Sequence, residues 1–188
     1  MTRDEILEAA VQNFSQKGFH ATSMQDIAQS VNLKKASLYH HVSSKQEILV
    51  DLLDQALDIL IQQMQEVIDL PLPPEEKLRL AINKYLTTLI DNRGRASVLL
   101  MEHRSLEPKY QSRHIPRRDK FEGLWRDLII EGASQGIFNC QDPALVTRAL
   151  LGMTNWTITW YKPGGSLSAD QISDEIADLL LSGLLRRS

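Results

Sequence analysis

Residues 22–45 read TSMQDIAQSVNLKKASLYHHVSSK, and this stretch decides what kind of chain it is. A helix starts after Thr22 or Ser23 and turns Met24, Ile27, Ala28 and Val31 inward. Asn32 follows, a residue that tolerates the left-handed conformation of a tight turn. A second helix covers about Lys35 to Val42, and two helices across a turn of about four residues have the spacing of a helix-turn-helix. Leu38 and Val42, four apart, put one side of that second helix into the core with Val31, and Ala28 is small where the two helices cross. The other side presents Lys35, Ser37, His40 and His41, with the small Ala36 at the leading end. A reading helix enters the major groove by its N-terminal residues, so these positions meet base edges and flanking phosphates. The helix N-termini at Thr22/Ser23 and Ser44 offer free backbone N–H groups that suit phosphate oxygens.

Upstream, Ile6, Leu7, Ala10, Val11 and Phe14 form one helical stripe, opened by Thr2-x-x-Glu5, a capping-box pattern. Gly18 ends that helix as a left-handed cap. Downstream, Ser44-x-x-Glu47 caps a long helix running to about Asp69, where Leu70-Pro-Leu-Pro-Pro74 stops it. Beyond the prolines the pattern predicts helices at about 75–91, 95–105, 117–135, 143–161 and 169–186. Asp142-Pro143 supplies an N-cap with proline at the first helical position, and Ser168-x-x-Gln171 is another capping box. No strand alternation or internal repeat is present. The fold class is all-α, about nine helices: a three-helix helix-turn-helix DNA-binding domain over residues 1–46 and a larger helical bundle over 47–188.

Composition excludes other classes. With 43% hydrophobic and 24% charged residues in 188, the chain is neither disordered nor fibrous. No apolar run approaches the ~20 residues that cross a bilayer, and Met1-Thr-Arg-Asp-Glu5 lacks a signal peptide's basic start and apolar core. The chain reads as soluble and cytoplasmic, without a membrane partner. The single cysteine, Cys140, makes neither an intrachain disulfide nor a multi-cysteine zinc site. His40 and His41 point about 100° apart on a helix and do not share an ion, so no metal is expected. Glu102, His103 and Cys140 form no nucleophile–base signature, and neither a Gly-rich phosphate loop nor HExxH occurs. No enzyme and no cofactor is called for.

The net charge of −3 argues at first against a nucleic-acid binder. By segment it is a cancellation. Residues 1–45 hold five Lys/Arg and four Asp/Glu, 46–92 three and nine, 93–120 eight and three, and 121–188 five and eight. Nothing acidic lies between Asp26 and Glu47, while Lys34, Lys35 and Lys45 do. Such a locally basic segment binds a polyanion inside a mildly acidic chain.

The stretch from about residue 3 to 49 resembles the DNA-binding domain of the TetR family of bacterial repressors. The matching residues are Gly18-Phe19, Thr22, Ile27-Ala28, Val31-Asn32-Leu33, Ala36-Ser37-Leu38-Tyr39-His40-His41-Val42 and Lys45. The resemblance implies that Tyr39, His40 and Lys45 hold phosphates. Lys34 departs from the family pattern, which often has Ser or Thr there as N-cap, so any phosphate contact at this position is of another kind, through the ammonium. The DNA-contacting candidates are therefore Thr22, Ser23, Lys34, Lys35, Ala36, Ser37, Tyr39, His40 and Lys45. A palindromic double-stranded operator asks for two copies of such a domain, hence a homodimer.

In the C-terminal part, the basic run from Arg93 to Lys120 lies between apolar helices carrying Tyr85, Leu89, Met101 and Trp125. A solvated surface explains such a run by default; an apolar cavity with cations at its mouth instead suits an amphipathic anion. Glu102-His103-Arg104-Ser105-Leu106, Gly152-Met-Thr-Asn155-Trp156 and Trp160-Tyr161-Lys-Pro-Gly164 resemble segments of TetR-type regulators of fatty-acid and steroid catabolism. That resemblance implies an acyl-CoA effector, with ligand candidates Tyr85, Leu89, Met101, His103, Arg104, Trp125, Asn155 and Trp156. Arg104 either binds phosphate or pairs with Glu102 or Glu107; Trp156 either lines the pocket or packs in a core or dimer interface. The last two helices, with Leu145, Leu150, Trp156, Ile172, Leu179 and Leu184, pair with their symmetry mates in the family. The function expected is a ligand-responsive repressor released by a small amphipathic effector. Two alternatives stay open: a TetR-type regulator of a hydrophobic or aromatic drug-like ligand, and a helical protein-interaction module without operator preference.

Overall fold

A computed structural model describes residues 2–185, and the helices within them follow from caps and breakers in the sequence. They are α1 (Arg3–Lys17), α2 (Met24–Ser30), α3 (Lys35–Leu38), α4 (Lys45–Ile68), α5 (Pro74–Asp91), α6 (Arg93–Glu102), α7 (Pro108–Ser134), α8 (Pro143–Trp160) and α9 (Ala169–Leu184), with a 3-10 turn, His103–Ser105, between α6 and α7. The all-α class expected from the pattern is what forms. Among the described residues there is no strand, only one isolated antiparallel bridge between Phe138 and Leu185. Arg186, to which the pattern extended the last helix, lies outside the described residues.

Local chemistry accounts for most of the boundaries. Thr2 and Glu5 form the reciprocal capping box of α1, Ser23 and Asp26 that of α2, and Ser168 and Gln171 that of α9. Asp142 caps α8, accepting from the N–H groups of Ala144 and Leu145 at 3.0 Å each. Asn32 takes φ 55, as a tight turn requires. Ser44 caps α4 by accepting from Glu47 N–H at 3.0 Å, but Glu47 reaches back one residue further than expected, to the N–H and hydroxyl of Ser43.

Three boundaries differ from the sequence pattern, each for a physical reason. Gly18 has φ 81 with ψ 159, so it is not a left-handed helical cap but an extended conformation at positive φ that is essentially restricted to glycine. Regular α-helix in α3 stops at Leu38 rather than Val42, because His40 and His41 donate three residues back, to Ser37 and Leu38, tightening the last turn before Val42 N–H also meets the Leu38 carbonyl. Helix α7 starts at Pro108 rather than near 117 and runs through Pro116. A proline there forfeits one backbone bond, at a cost of about 3 kcal/mol in an unsupported helix. On either side of it Arg113, His114 and Arg117 are anchored to carboxylates of α4, which holds the turn together.

The chain divides into two compact units, one made of residues up to Asp58 with Arg93–Arg117, the other of Ile59–Asn92 with residues from Arg118 on. Helices α4 and α7 contribute a length to each. In the first unit α1 packs on α2 and α6, and α2 on α3. Its core is Ile6, Leu7, Ala10, Phe14, Ile27, Ala28, Leu38, Val42 and Ile48, all essentially without exposure. Gly94 lets α6 approach α1: a Cβ there would stand 3.2 Å from Val11 Cγ1. In the second unit α5 packs on both α8 and α9, with Leu78, Ile82 and Leu86 of α5 fully buried.

Candidate functional site

The face of α3 is set by what its opposite side buries. With Leu38 and Val42 locked in the core, Lys34, Lys35, Ala36, Tyr39 and His40 are exposed and Ser37 is half-exposed. Tyr39 is 47% exposed, so its ring is not a core aromatic. At the start of α2, Ser23 is exposed; its hydroxyl accepts from Asp26 N–H at 3.1 Å, and its own N–H donates to the Asp26 carboxylate at 2.8 Å. The Ser23 hydroxyl, then its N–H, hold the Asp26 carboxyl down at about 2.

Two of the expected DNA contacts are committed inside the protein. Thr22 is buried and its hydroxyl donates to the Gly18 carbonyl at 2.9 Å, so the N-cap is Ser23 and the Thr22 side chain has no surface to offer. The Lys45 ammonium donates to the carbonyls of Phe19 at 2.7 Å, Thr22 at 2.6 Å and His20 at 3.4 Å, and lies 4.3 Å from the Phe19 ring centroid. Its partial burial lowers its pKa from the ordinary lysine value.

Two arginines and a histidine of the basic run 93–120 are engaged by carboxylates of α4. Arg113 meets Asp51 at 2.9 Å and Asp54 at 2.6 Å; Arg117 meets Asp54 at 3.4 Å and Asp58 at 3.2 Å. His114 Nδ1 lies 3.1 Å from Asp54, whose side chain is only 3% exposed. Arg3 of α1 joins the same row, pairing with Asp51 and, at 2.7 Å, with Glu47. The hydroxyl of Ser43 first, and Arg3 next, hold the Glu47 carboxyl at about 2. Arg95 reaches Glu8 at 2.8 Å. Arg104 is exposed and, among the described residues, makes no ion pair with Glu102, Glu107 or any other acid. Part of the positive charge of 93–120 therefore answers the negative charge of α4, two excesses that the sequence shows separately.

The second unit contains an aromatic nest. Tyr85 is tilted against Phe121 with ring centroids 5.4 Å apart and edge-on to Trp125 at 5.7 Å. The Tyr85 hydroxyl donates to Asn155 Oδ1 at 2.5 Å, and burial raises its pKa above the ordinary tyrosine value. Leu60, Gln63, Met64 and Val67 of α4, with Ala81 and Lys84 of α5, complete the walls. The free space is about 10 Å³, scarcely room for one water. Trp125 is buried, and its indole Nε1 has no acceptor among the described residues.

Of the ligand candidates, Tyr85, Trp125 and Asn155 come together here. Leu89 is buried in the same unit but does not line the hollow, and Trp156 does not line it either, being 64% exposed on α8. Met101, His103 and Arg104 belong to the first unit. The sequence reading omitted Leu60, Met64 and Val67. Their only signal was the apolar stripe of a long helix, which does not say what it faces. Along α8, Leu145, Ala149, Gly152, Trp156 and Trp160 are exposed at helical spacing, and Leu179 of α9 is exposed as well.

Residues 6–52 match the family model described as bacterial regulatory proteins, tetR family, and residues 71–184 match that of the tetracyclin repressor-like C-terminal domain. This chain belongs to the TetR family. It is 32% identical over 184 residues to the HTH-type transcriptional repressor KstR2 of Mycolicibacterium smegmatis, covering 97% of this chain and 90% of that one. Among solved structures of TetR-type regulators it is similar to PfmR of Thermus thermophilus, with a TM-score of 0.87, 37% identity and coverage of 96% and 99%. It is also similar to AibR in complex with isovaleryl coenzyme A and operator DNA, with a TM-score of 0.89, 28% identity and coverage of 95% and 97%. The relatives so named are transcriptional regulators. Among the described residues no helix is long and apolar enough to cross a membrane, and no group of His, Cys, Asp and Glu is placed to hold a metal ion.

Proposed function

We propose that this TetR-family chain is a non-enzymatic repressor that binds a palindromic operator as a homodimer and leaves it when an acyl-CoA thioester occupies the second unit. The observation that carries the reading is the exposed row Lys34, Lys35, Ala36, Ser37, Tyr39 and His40 on a helix whose other side is locked by Leu38 and Val42. Cations and hydrogen-bonding side chains at a helix N-terminus are what a major groove and its phosphates take. Ser23 extends the contact surface at the start of α2. The exposed apolar row of α8 supports the second copy, because a stripe with small residues at Ala149 and Gly152 and large ones at Leu145, Trp156 and Trp160 suits close helix packing.

The aromatic nest supports an apolar effector group, and the operator and isovaleryl-CoA complex of AibR supports the thioester. With about 10 Å³ free, the nest opens only if Tyr85, Phe121 and Trp125 part. The ligand then displaces Leu60, Met64 and Val67, which belong to the helix that begins at Lys45. A ligand that prefers the open nest lowers operator affinity by the factor by which DNA lowers ligand affinity. The pairing of Arg113 and Arg117 with α4 favours a second reading, an uncharged hydrophobic or aromatic ligand, since it leaves fewer cations for phosphates.

Titration of isovaleryl-CoA and longer acyl-CoAs into the protein–operator complex, followed by fluorescence anisotropy, separates the two. Release by one of the thioesters is the expected result. Release only by uncharged aromatics sinks the anionic effector, and absence of any operator preference sinks the repressor.

A further inference from the structure

Phe19 is gripped by its backbone from two sides. Its N–H donates to Glu102 Oε1 at 3.1 Å, and its carbonyl accepts from Lys45 Nζ at 2.7 Å. Glu102 is the last residue of α6, and its other oxygen accepts from the Ser105 hydroxyl at 3.1 Å. Gly18 permits the turn that brings the Phe19 N–H to Glu102, at a φ of 81 that side chains rarely adopt. The same ammonium that holds Phe19 also holds the Thr22 carbonyl, immediately before Ser23, the N-cap of α2. The next residue, Gln46, repeats the pattern towards the 3-10 turn: Nε2 donates to the Ser105 carbonyl at 2.8 Å and Oε1 accepts from Glu107 N–H at 3.1 Å. His20 Nε2 stands 3.2 Å from the Ser105 hydroxyl. Segment 102–107 thus holds both the turn that leads into the helix-turn-helix and the start of α4.

An ammonium has three N–H donors and no acceptor. The three at Lys45 meet three carbonyls, so a phosphate competes with bonds already made. Glu102 offers a charged acceptor to a backbone N–H, a stronger bond than one between neutral groups.

We infer that the Phe19 backbone is the joint by which residues 102–107 set the posture of the DNA-reading helices, with Lys45 and Glu102 as positioning residues rather than DNA contacts. This rests on the reading of the chain as an operator-binding regulator. Losing either grip frees the turn 18–22 and the reading helix with it. Docking that depends on register then suffers, while loose attraction to phosphates does not.

The test uses a duplex that the wild-type protein selects from a random-sequence pool, and a random duplex of equal length, each titrated across a salt series. Lys45→Met, which keeps the apolar stem over Phe19, and Glu102→Ala each weaken binding to the selected duplex by about tenfold, with the random-duplex affinity and the salt slope unchanged. Lys35→Ala, by contrast, weakens both and flattens the slope by about one unit per protomer. Glu102→Gln, which retains an acceptor oxygen, stays within about threefold of wild type. A flattened slope and weaker random-duplex binding in Lys45→Met would make Lys45 a phosphate contact and overturn the inference. Unchanged selected-duplex affinity in Glu102→Ala overturns it as well, and that variant leaves Lys45 in place should Lys45→Met not fold. If the wild type selects no duplex, the operator reading itself fails and the joint falls with it.

Discussion

Along the first half of α4, Glu47, Asp51, Asp54 and Asp58 meet Arg3, Arg113, His114 and Arg117 in a row of ion pairs. Along its second half, Leu60, Met64 and Val67 meet the rings of Tyr85, Phe121 and Trp125, where the hydroxyl of Tyr85 makes one hydrogen bond to Asn155. The two lengths of one helix do opposite things. The charged row is directional and partly wet, so water can replace its contacts when they loosen. The aromatic nest is nearly full, and a molecule bringing its own apolar surface opens it at the least cost. The first unit is accordingly read from what it leaves exposed, and the second from what it hides.

Trp125→Ala strikes the nest hardest. Removing a fully buried indole costs about 3–5 kcal/mol, measured by urea unfolding. A loss under about 1 kcal/mol would mean that the nest is not close-packed and that the contrast with the charged row is false. Asp54→Ala tests the row. Removing one partner of a buried pair costs about 3–5 kcal/mol, but Arg113 and Arg117 remain 47% and 37% exposed and rehydrate, which brings the expected loss to about 2 kcal/mol. If Asp54→Ala costs as much as Trp125→Ala, the row is as tightly packed as the nest. Gly18→Ala places a side chain at φ 81, ψ 159, and is expected to cost about 2 kcal/mol from backbone strain, read as a lowered thermal midpoint.

The smallest effects belong to the caps and to pH. Ser23→Ala removes the cap of α2 for about 1 kcal/mol. Asp26 and Glu47 are both held at about 2, below their unfolded values. A depressed carboxylate stabilises the fold above its unfolded pKa, and that contribution is lost as pH falls through the folded one. The thermal midpoint is therefore expected to drop as pH is lowered from about 4 to about 2. Glu47→Gln should flatten that drop; an unaltered slope would show that this end of the charged row contributes nothing through its charge.

Much of the first unit was legible in the chain because its signals are local. Ala28, Val31, Leu38 and Val42 are spaced to bury one side, and burial of that side exposes Lys35 and His40 whatever else happens. Ser23 with Asp26, and Ser168 with Gln171, are caps whose two partners lie three residues apart. The proposed effector site was legible only in part. Tyr85, Trp125 and Asn155 were identified as ligand candidates, but Leu60, Met64 and Val67 were not, because which face of a long amphipathic helix meets which ring depends on packing. The basic run was visible, whereas its partners on α4, about sixty residues away in the chain, were not.

The sequence by itself determined an all-α chain with a helix-turn-helix near its start and the cationic, hydrogen-bonding side chains that face outward from it. Those are properties of helical period and capping, which act within a few residues. Only the tertiary structure decided where the charges of 93–120 go, that α7 continues through Pro116, that the aromatic nest is nearly filled, and that the Lys45 ammonium lies on backbone carbonyls. Each of these depends on groups brought together from distant parts of the chain, and a side chain's partners are settled by that packing rather than by its own chemistry.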